Sequence, residues 1–209
     1  MSHAINPRVV DISHHNVVTS FDDVRAAGIL GVIHKSSQGA AMVDGQYAAR
    51  RQAALDAGLM WGAYHFADGS DPVEQVRHFI EAAQPDANTL MCLDWEPNGN
   101  STMGLDDARA FLTEFQQRMG RKAVLYSGNL AKEQLGDEAD DFFGSHRLWL
   151  TQYGPVPRVQ ASWQSFWLWQ FTGDGIGPTP HGIPGIETNG LDINSYDGSD
   201  DQLVSEWAS

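Results

Sequence analysis

Alternation is the strongest constraint on this chain. Runs rich in β-branched and aromatic residues recur at 9–13, 31–35, 61–66, 90–96, 123–127, 147–153, 166–171 and 191–196. The first five are each followed by a helical signal. Ser20 precedes Phe21-Asp22-Asp23 as an N-cap with an acid at the third position. Asp71-Pro72-Val73-Glu74 is a fuller start: an Asp cap, proline in the first turn, and a glutamate placed to reach back. Val73, Val76, Phe79, Ile80 and Ala83 then form an apolar stripe at helical spacing, and Leu105, Ala108, Phe111, Leu112, Phe115 and Met119 form another. Residues 47–57 read as a helix ending at Gly58, and a weaker helix is expected around 130–143. After the sixth run the pattern changes. Pro155-Val156-Pro157 opposes a helix, and residues 172–190 form a Gly- and Pro-rich loop long enough to suggest a function.

Strand–helix alternation predicts a parallel sheet, and about eight strands predict closure. The expected fold is therefore α/β, a modified TIM-like barrel of five β/α units followed by three strands, with residues 1–209 as one catalytic barrel domain. An open dinucleotide-binding sheet would place a Gly-rich turn after the first strand, where this chain has Asp11-Ile12-Ser13-His14-His15.

Bulk properties narrow the partners. A 209-residue chain with 42% hydrophobic residues can bury a core. Its net charge of −14 argues against nucleic acid and anionic membrane surfaces. One cysteine, Cys92, allows no internal disulfide and reads as a small apolar residue within a strand. No apolar run is long enough to span a bilayer, and the N-terminal residues lack a signal-peptide pattern.

In a barrel of this kind the active site lies at the C-terminal ends of the strands. Those ends are polar here almost throughout: Asp11 and Ser13, His34-Lys35-Ser36, Tyr64-His65, Asp94-Trp95-Glu96, Tyr126-Ser127, Gln152-Tyr153, Trp169-Gln170, and Asp192 with Asn194. Asp94 and Glu96 sit two strand positions apart, roughly 6.5 Å, so they share a face while Trp95 takes the other. The first and eighth strands adjoin in a closed barrel, which brings Asp11 beside Asp192 across from that pair. Four acids around one cleft cannot all ionise cheaply, so at least one is expected to keep its proton and serve as a general acid. Paired carboxyls of this kind hydrolyse glycosides. Clustered acids also bind magnesium.

These motifs, in order along residues 9–198, resemble those of glycoside hydrolase family 25, the Chalaropsis-type lysozymes: Asp11-Ile12-Ser13-His14-His15-Asn16, Lys35-Ser36-Ser37-Gln38-Gly39, Gly62-Ala63-Tyr64-His65-Phe66, Leu93-Asp94-Trp95-Glu96, Leu125-Tyr126-Ser127, Leu148-Trp149 with Tyr153, Trp169-Gln170, and Asp192-Ile193-Asn194. The resemblance implies cleavage of the β-1,4 bond between N-acetylmuramic acid and N-acetylglucosamine in bacterial peptidoglycan, without a cofactor or metal. It implies Glu96 as proton donor, Asp94 as partner of the substrate's 2-acetamido group or stabiliser of the cationic transition state, and Asp11 and Asp192 as groups that shape the field. Lys35, Tyr64, His65, Tyr126, Tyr153, Trp169, Gln170 and Asn194 form the candidate substrate-binding set. One or two of Trp61, Trp95, Trp149, Trp163 and Trp169 are expected to face sugar. The chain departs from the pattern at Gln38, where glutamate is frequent, at Val17 in place of glycine, and at His34 before the lysine.

Two rival functions stand beside this one. His14, His15, His34, His65 and His181 with Asp94 suggest a metal-dependent barrel hydrolase of the polysaccharide deacetylase kind. A wall-binding module without catalysis is the other. The lysozyme reading carries the expectation of a monomer acting outside the cell or released to the bacterial wall, by a phage endolysin route or after removal of a leader.

Overall fold

The computed structural model describes residues 4–188 and 190–209. The elements run β1 (Pro7–Ile12), α1 (Phe21–Ala26), β2 (Gly31–Gln38), β3 (Met42–Val43), α2 (Tyr47–Asp56), β4 (Met60–Phe66), α3 (Pro72–Ala83), β5 (Leu90–Asp94), α4 (Leu105–Met119), β6 (Val124–Ser127), α5 (Asn129–Leu135), α6 (Asp141–Gly144), β7 (Leu148–Thr151), β8 (Leu168–Thr172), β9 (Asp192–Ser195) and α7 (Asp200–Glu206).

Eight strands close a barrel in the order β1-β9-β8-β7-β6-β5-β4-β2, with β1 paired to β2 to complete the circle; β3 is a short hairpin partner of β2. The five β/α units and three trailing strands match the pattern of the sequence. One expectation fails. β9 runs antiparallel to both β8 and β1, so the sheet is not wholly parallel. The reversal has a functional result: Asp192, the first residue of β9, lies at the same end of the barrel as the last residues of the other strands, opposite Asp11.

Local signals explain most helix boundaries. Ser20 accepts the backbone N–H of Asp23, and Asp71 accepts those of Val73 and Glu74. Glu74 does not reach back to its cap as expected; it pairs with Arg77 instead. The weak helix expected around 130–143 is two short ones, α5 and α6, broken at Gly136. The unexpected α7 opens with a capping box between Ser199 and Gln202.

The period of two along each strand divides two cores. Val9, Ile33, Leu90, Cys92, Val124 and Leu168 face inward and fill the lower barrel, while Val10, Ile12, Val32, Leu93, Leu125 and Leu150 face the helices. Leu203 and Trp207, from α7 and just beyond it, close the floor. Trp207 donates its indole N–H to the Trp61 carbonyl at 2.9 Å and lies where a side chain on Gly31 would be. Cys92 belongs to this floor; burial pushes its thiol well up, which makes it a packing residue. A barrel plugged below by apolar residues opens only above, where the acids are.

Candidate active site

The upper layer of the barrel surrounds a cleft of about 250 Å³. Asp11, Asp94, Glu96 and Asp192 all line it, together with Lys35, Tyr64, Tyr126, Tyr153 and Gln170. β5 ends at Asp94, one residue pair earlier than the expected strand, yet Glu96 still turns to the same cleft. Trp95 takes the other side, stacked on Phe143 at 5.5 Å between centroids and donating its N–H to the Met103 carbonyl. Such a stack contributes about 0.5–1.5 kcal/mol beyond burial and anchors the turn that carries both acids.

Asp11 is the most firmly held acid. It accepts from Asn194 Nδ2 at 2.7 Å and from Gln170 Nε2 at 3.0 and 3.1 Å. These amides are oriented in turn. Trp149 donates to Asn194 Oδ1 at 2.6 Å, and the Tyr126 hydroxyl and Thr151 hydroxyl donate to Gln170 Oε1 at 2.8 and 3.0 Å. The amides therefore present N–H groups to the carboxylate, not oxygens. Burial raises Asp11 to about 6, and the Asn194 and Gln170 hydrogen bonds restrain the rise.

The other three acids are pushed further. Burial first, then the charge of Asp11, raises Glu96 to about 7, with Lys35 opposing. Burial, Asp11 and Asp174 raise Asp192 to about 9, against a long 3.4 Å hydrogen bond from the Tyr153 hydroxyl. Gly173 makes that contact possible, because a Cβ there would collide with both partners. Burial and then Glu96 push Asp94 well up. Asp94 Oδ1 is buried with no hydrogen-bond partner among the described residues. A buried acceptor without a donor is costly, and it belongs to a residue that lines the cleft.

Lys35 supplies positive charge beside Asp94 and Glu96. Its ammonium donates to Gln38 Oε1 at 2.7 Å and lies 4.6 Å from the centre of the Phe66 ring. A glutamine at 38 leaves the lysine's full charge to act on the cleft acids. Tyr64 and Tyr126 are pushed well up by burial and by the surrounding carboxylates, so both remain hydroxyl donors.

Several expected residues lie elsewhere. His65 is fully buried on the helix side of β4, where Ser37 and Gln75 satisfy its two nitrogens at 2.8 and 3.1 Å and Phe79 and Phe111 pack on its ring. It does not reach substrate. Trp169 also faces the helices, between Phe166 and Phe171, with its N–H on the Gln152 carbonyl. Period two explains both: each neighbours an inward residue, Tyr64 or Gln170. Asn194 is inward but buried beneath Asp11, so it positions the acid instead of touching a ligand. Of the tryptophans considered, Trp149 lines the cleft. Ser13 lines it as its place at a strand end suggested, and His15, Phe66 and Asp174 line it without having stood in the expected substrate-binding set. Asp174 comes from the long loop after β8, whose length was the available signal.

The histidines behind the metal reading are dispersed. His14 pairs with buried Asp44 at 2.8 Å, His34 lies between the Lys35 carbonyl and Arg50, and His181 meets Thr172. With His65 turned outward, only His15 of these five lines the cleft that holds Asp94.

The family model for glycosyl hydrolases family 25 matches residues 10–179. This chain belongs to that family. A curated relative, Lysozyme M1 of Streptomyces globisporus, is 23% identical over 94% of this chain and 69% of its own length. The bacterial lysozyme of Streptomyces coelicolor superposes with a TM-score of 0.85 at 23% identity, covering 97% of each chain. The family GH25 lysozyme of Aspergillus fumigatus gives 0.80 at 23% identity, over 97% of this chain and 99% of its own. The closed eight-strand barrel is thus a family 25 fold.

Proposed function

We propose that this family 25 glycosyl hydrolase is a peptidoglycan lysozyme of the N-acetylmuramidase type, hydrolysing the β-1,4 bond between N-acetylmuramic acid and N-acetylglucosamine. The observation that carries the reading is the gathering of Asp11, Asp94, Glu96 and Asp192 around one cleft at the open end of the barrel, where burial and the neighbouring Asp11 raise Glu96 and favour its proton-bearing form.

Glu96 gives its proton to the glycosidic oxygen as the bond to the anomeric carbon breaks. Asp94, in the cleft wall, accepts the N–H of the 2-acetamido group, and the acetamido carbonyl oxygen attacks the anomeric carbon from the opposite face. The bicyclic cation so formed is opened by water, whose proton passes to the Glu96 carboxylate and restores the acid. Asp11 stabilises the positive charge on the sugar ring, Asp192 keeps its proton and offers a hydrogen bond beside it, and Lys35 balances the site in its resting state. Tyr64, Tyr126 and Tyr153 offer hydroxyls to the substrate, and Trp149 contributes an edge of aromatic wall. The chain acts as a monomer on the bacterial wall, outside the cytoplasm; the autolytic and endolysin relatives it resembles support that setting.

The test is a digest of purified peptidoglycan with mass spectrometry of the new reducing ends. N-acetylmuramic acid is expected there. N-acetylglucosamine at those ends refutes the bond assignment. Activity abolished by EDTA and restored by a divalent ion would favour the metal-dependent alternative, and binding without new ends would favour a wall-binding module.

A further inference from the structure

A second groove, of about 370 Å³, leaves the cleft past Glu96. Glu96 and Tyr153 border both spaces, while Asp11, Asp94 and Asp192 border only the first. Under the proposed reaction, the sugar that becomes cationic sits against those three acids. The oxygen that takes the Glu96 proton departs on the other side of that residue, toward the second groove. Its wall includes Asn129 and Gln152.

Gln152 leads to an unusual charge arrangement. Its Oε1 accepts from Lys132 Nζ at 3.0 Å and from the Arg158 backbone N–H at 3.2 Å, and its Nε2 donates to the Val156 carbonyl at 2.6 Å. Lys132 is thereby held at the edge of the groove, and the Arg158 backbone is fixed on the same amide oxygen. Partial burial, and then the nearby Arg158, pull the Lys132 ammonium down. Arg8, Arg51, Arg77, Arg109 and Arg118 each pair with a carboxylate, and Arg50, Arg121, Lys122 and Arg147, which do not, end on backbone carbonyls; Lys132 meets the Gln152 amide oxygen, and neither it nor Arg158 pairs with a carboxylate among the described residues. In a chain of net charge −14, acids are plentiful. Two neighbouring cations, neither closed by a carboxylate, stand beside a groove that begins at the proton donor, where they would attract an anionic ligand.

We infer that this groove receives the leaving half of the glycan, and that Lys132 and Arg158 together bind a carboxylate of the peptide stem borne by the next muramic acid along the strand. The inference rests on the muramidase reading and adds a specificity: the chain prefers peptide-bearing strands to bare glycan. It also gives an acidic protein a local means of engaging an anionic wall.

The experiment compares two substrates, solubilised glycan strands with intact uncross-linked stem peptides and the same strands stripped by an amidase, by the kcat/KM for release of new reducing ends. The wild-type protein is expected to favour the peptide-bearing strands. The Lys132→Glu/Arg158→Glu double variant is expected to lower that ratio by about three- to ten-fold, as two partly exposed ion pairs allow. Arg158→Gln, an exposed change with little risk to folding, should lower it by a smaller factor, and added salt should lower it in the wild type alone. An identical ratio in wild type and variants, with new ends released from both substrates, overturns this inference and leaves the muramidase reading intact. No muramic acid ends from either substrate overturns both.

Discussion

The inner and outer faces of the same strands obey different rules. On β4, inward Tyr64 stands among carboxylates, while outward His65 has both nitrogens matched and two phenylalanines on its ring. On β5, inward Asp94 keeps an oxygen without a partner, while outward Trp95 has its one donor satisfied. On β8, inward Gln170 serves Asp11 and outward Trp169 packs. On the outer face His65 and Trp95 complete their hydrogen bonds, although the Trp61 indole N–H on the same face has no partner among the described residues. The inner mouth gathers groups that repel one another. The difference teaches that burial alone does not mark function in this barrel; unresolved electrostatic conflict does.

The largest blow to this contrast would come from Glu96→Gln. It removes the proton donor without changing shape, and lysis of peptidoglycan followed by turbidity should fall by about 10²–10⁴-fold with an unchanged circular dichroism spectrum. Retention of activity within tenfold would remove Glu96 from its role.

The pH profile sharpens the same point. Activity requires Asp11 ionised and Glu96 protonated, so kcat/KM should rise through about pH 6 and fall through about pH 7. Asn194→Leu deletes a hydrogen bond that holds Asp11 down. Its pKa must rise, and the acid limb should move up by roughly one to two units, narrowing the bell and cutting activity at pH 6. An unmoved acid limb would mean that the amide does not govern Asp11.

His65→Leu tests the outer face. It strands Gln75 and Ser37 at a cost of about 1–3 kcal/mol, which lowers Tm by about 2–4 °C per kcal/mol. Steady-state kinetics should stay within about twofold, the error expected for a residue remote from substrate. A large kcat effect without loss of stability would bring His65 back into the site.

The smallest effect concerns Asp192. Its folded pKa is raised to about 9 from 3.8, so the native state binds more protons than the unfolded one between those values. The stability linked to this group is complete below about 3.8 and is lost as pH rises through about 9. Asp192→Asn should therefore raise Tm at pH 8, a gain that shrinks to nothing near pH 4. The opposite trend in calorimetric scans would show that Asp192 is stabilised by its surroundings, not opposed by them.

Much of this was legible in the chain. Strand and helix periods, the caps at Ser20 and Asp71, and the polar strand ends are short-range signals, so the five β/α units and the four acids could be read directly. The family motifs added the probable chemistry's outline only as an expectation for Glu96 and Asp94. Less legible were the residues beside them. Sequence places Tyr64 and His65, or Trp169 and Gln170, at one strand end, and the facing of each depends on a register that neighbouring strands set. Asp174 lies in a loop with no period at all, and its approach to the cleft depends on the turn at Gly173 and the contact of Asp174 with Gly190.

The sequence by itself determined a strand–helix rhythm and an acid-bearing end for the strands, because both follow from local periodicity and residue type. Only the tertiary structure decided that β9 runs backwards to set Asp192 opposite Asp11, and that three amide N–H contacts hold Asp11 at about 6 while Glu96 stands at about 7. Those outcomes depend on charges and dipoles brought together from residues more than 150 positions apart, and no local pattern encodes such distances.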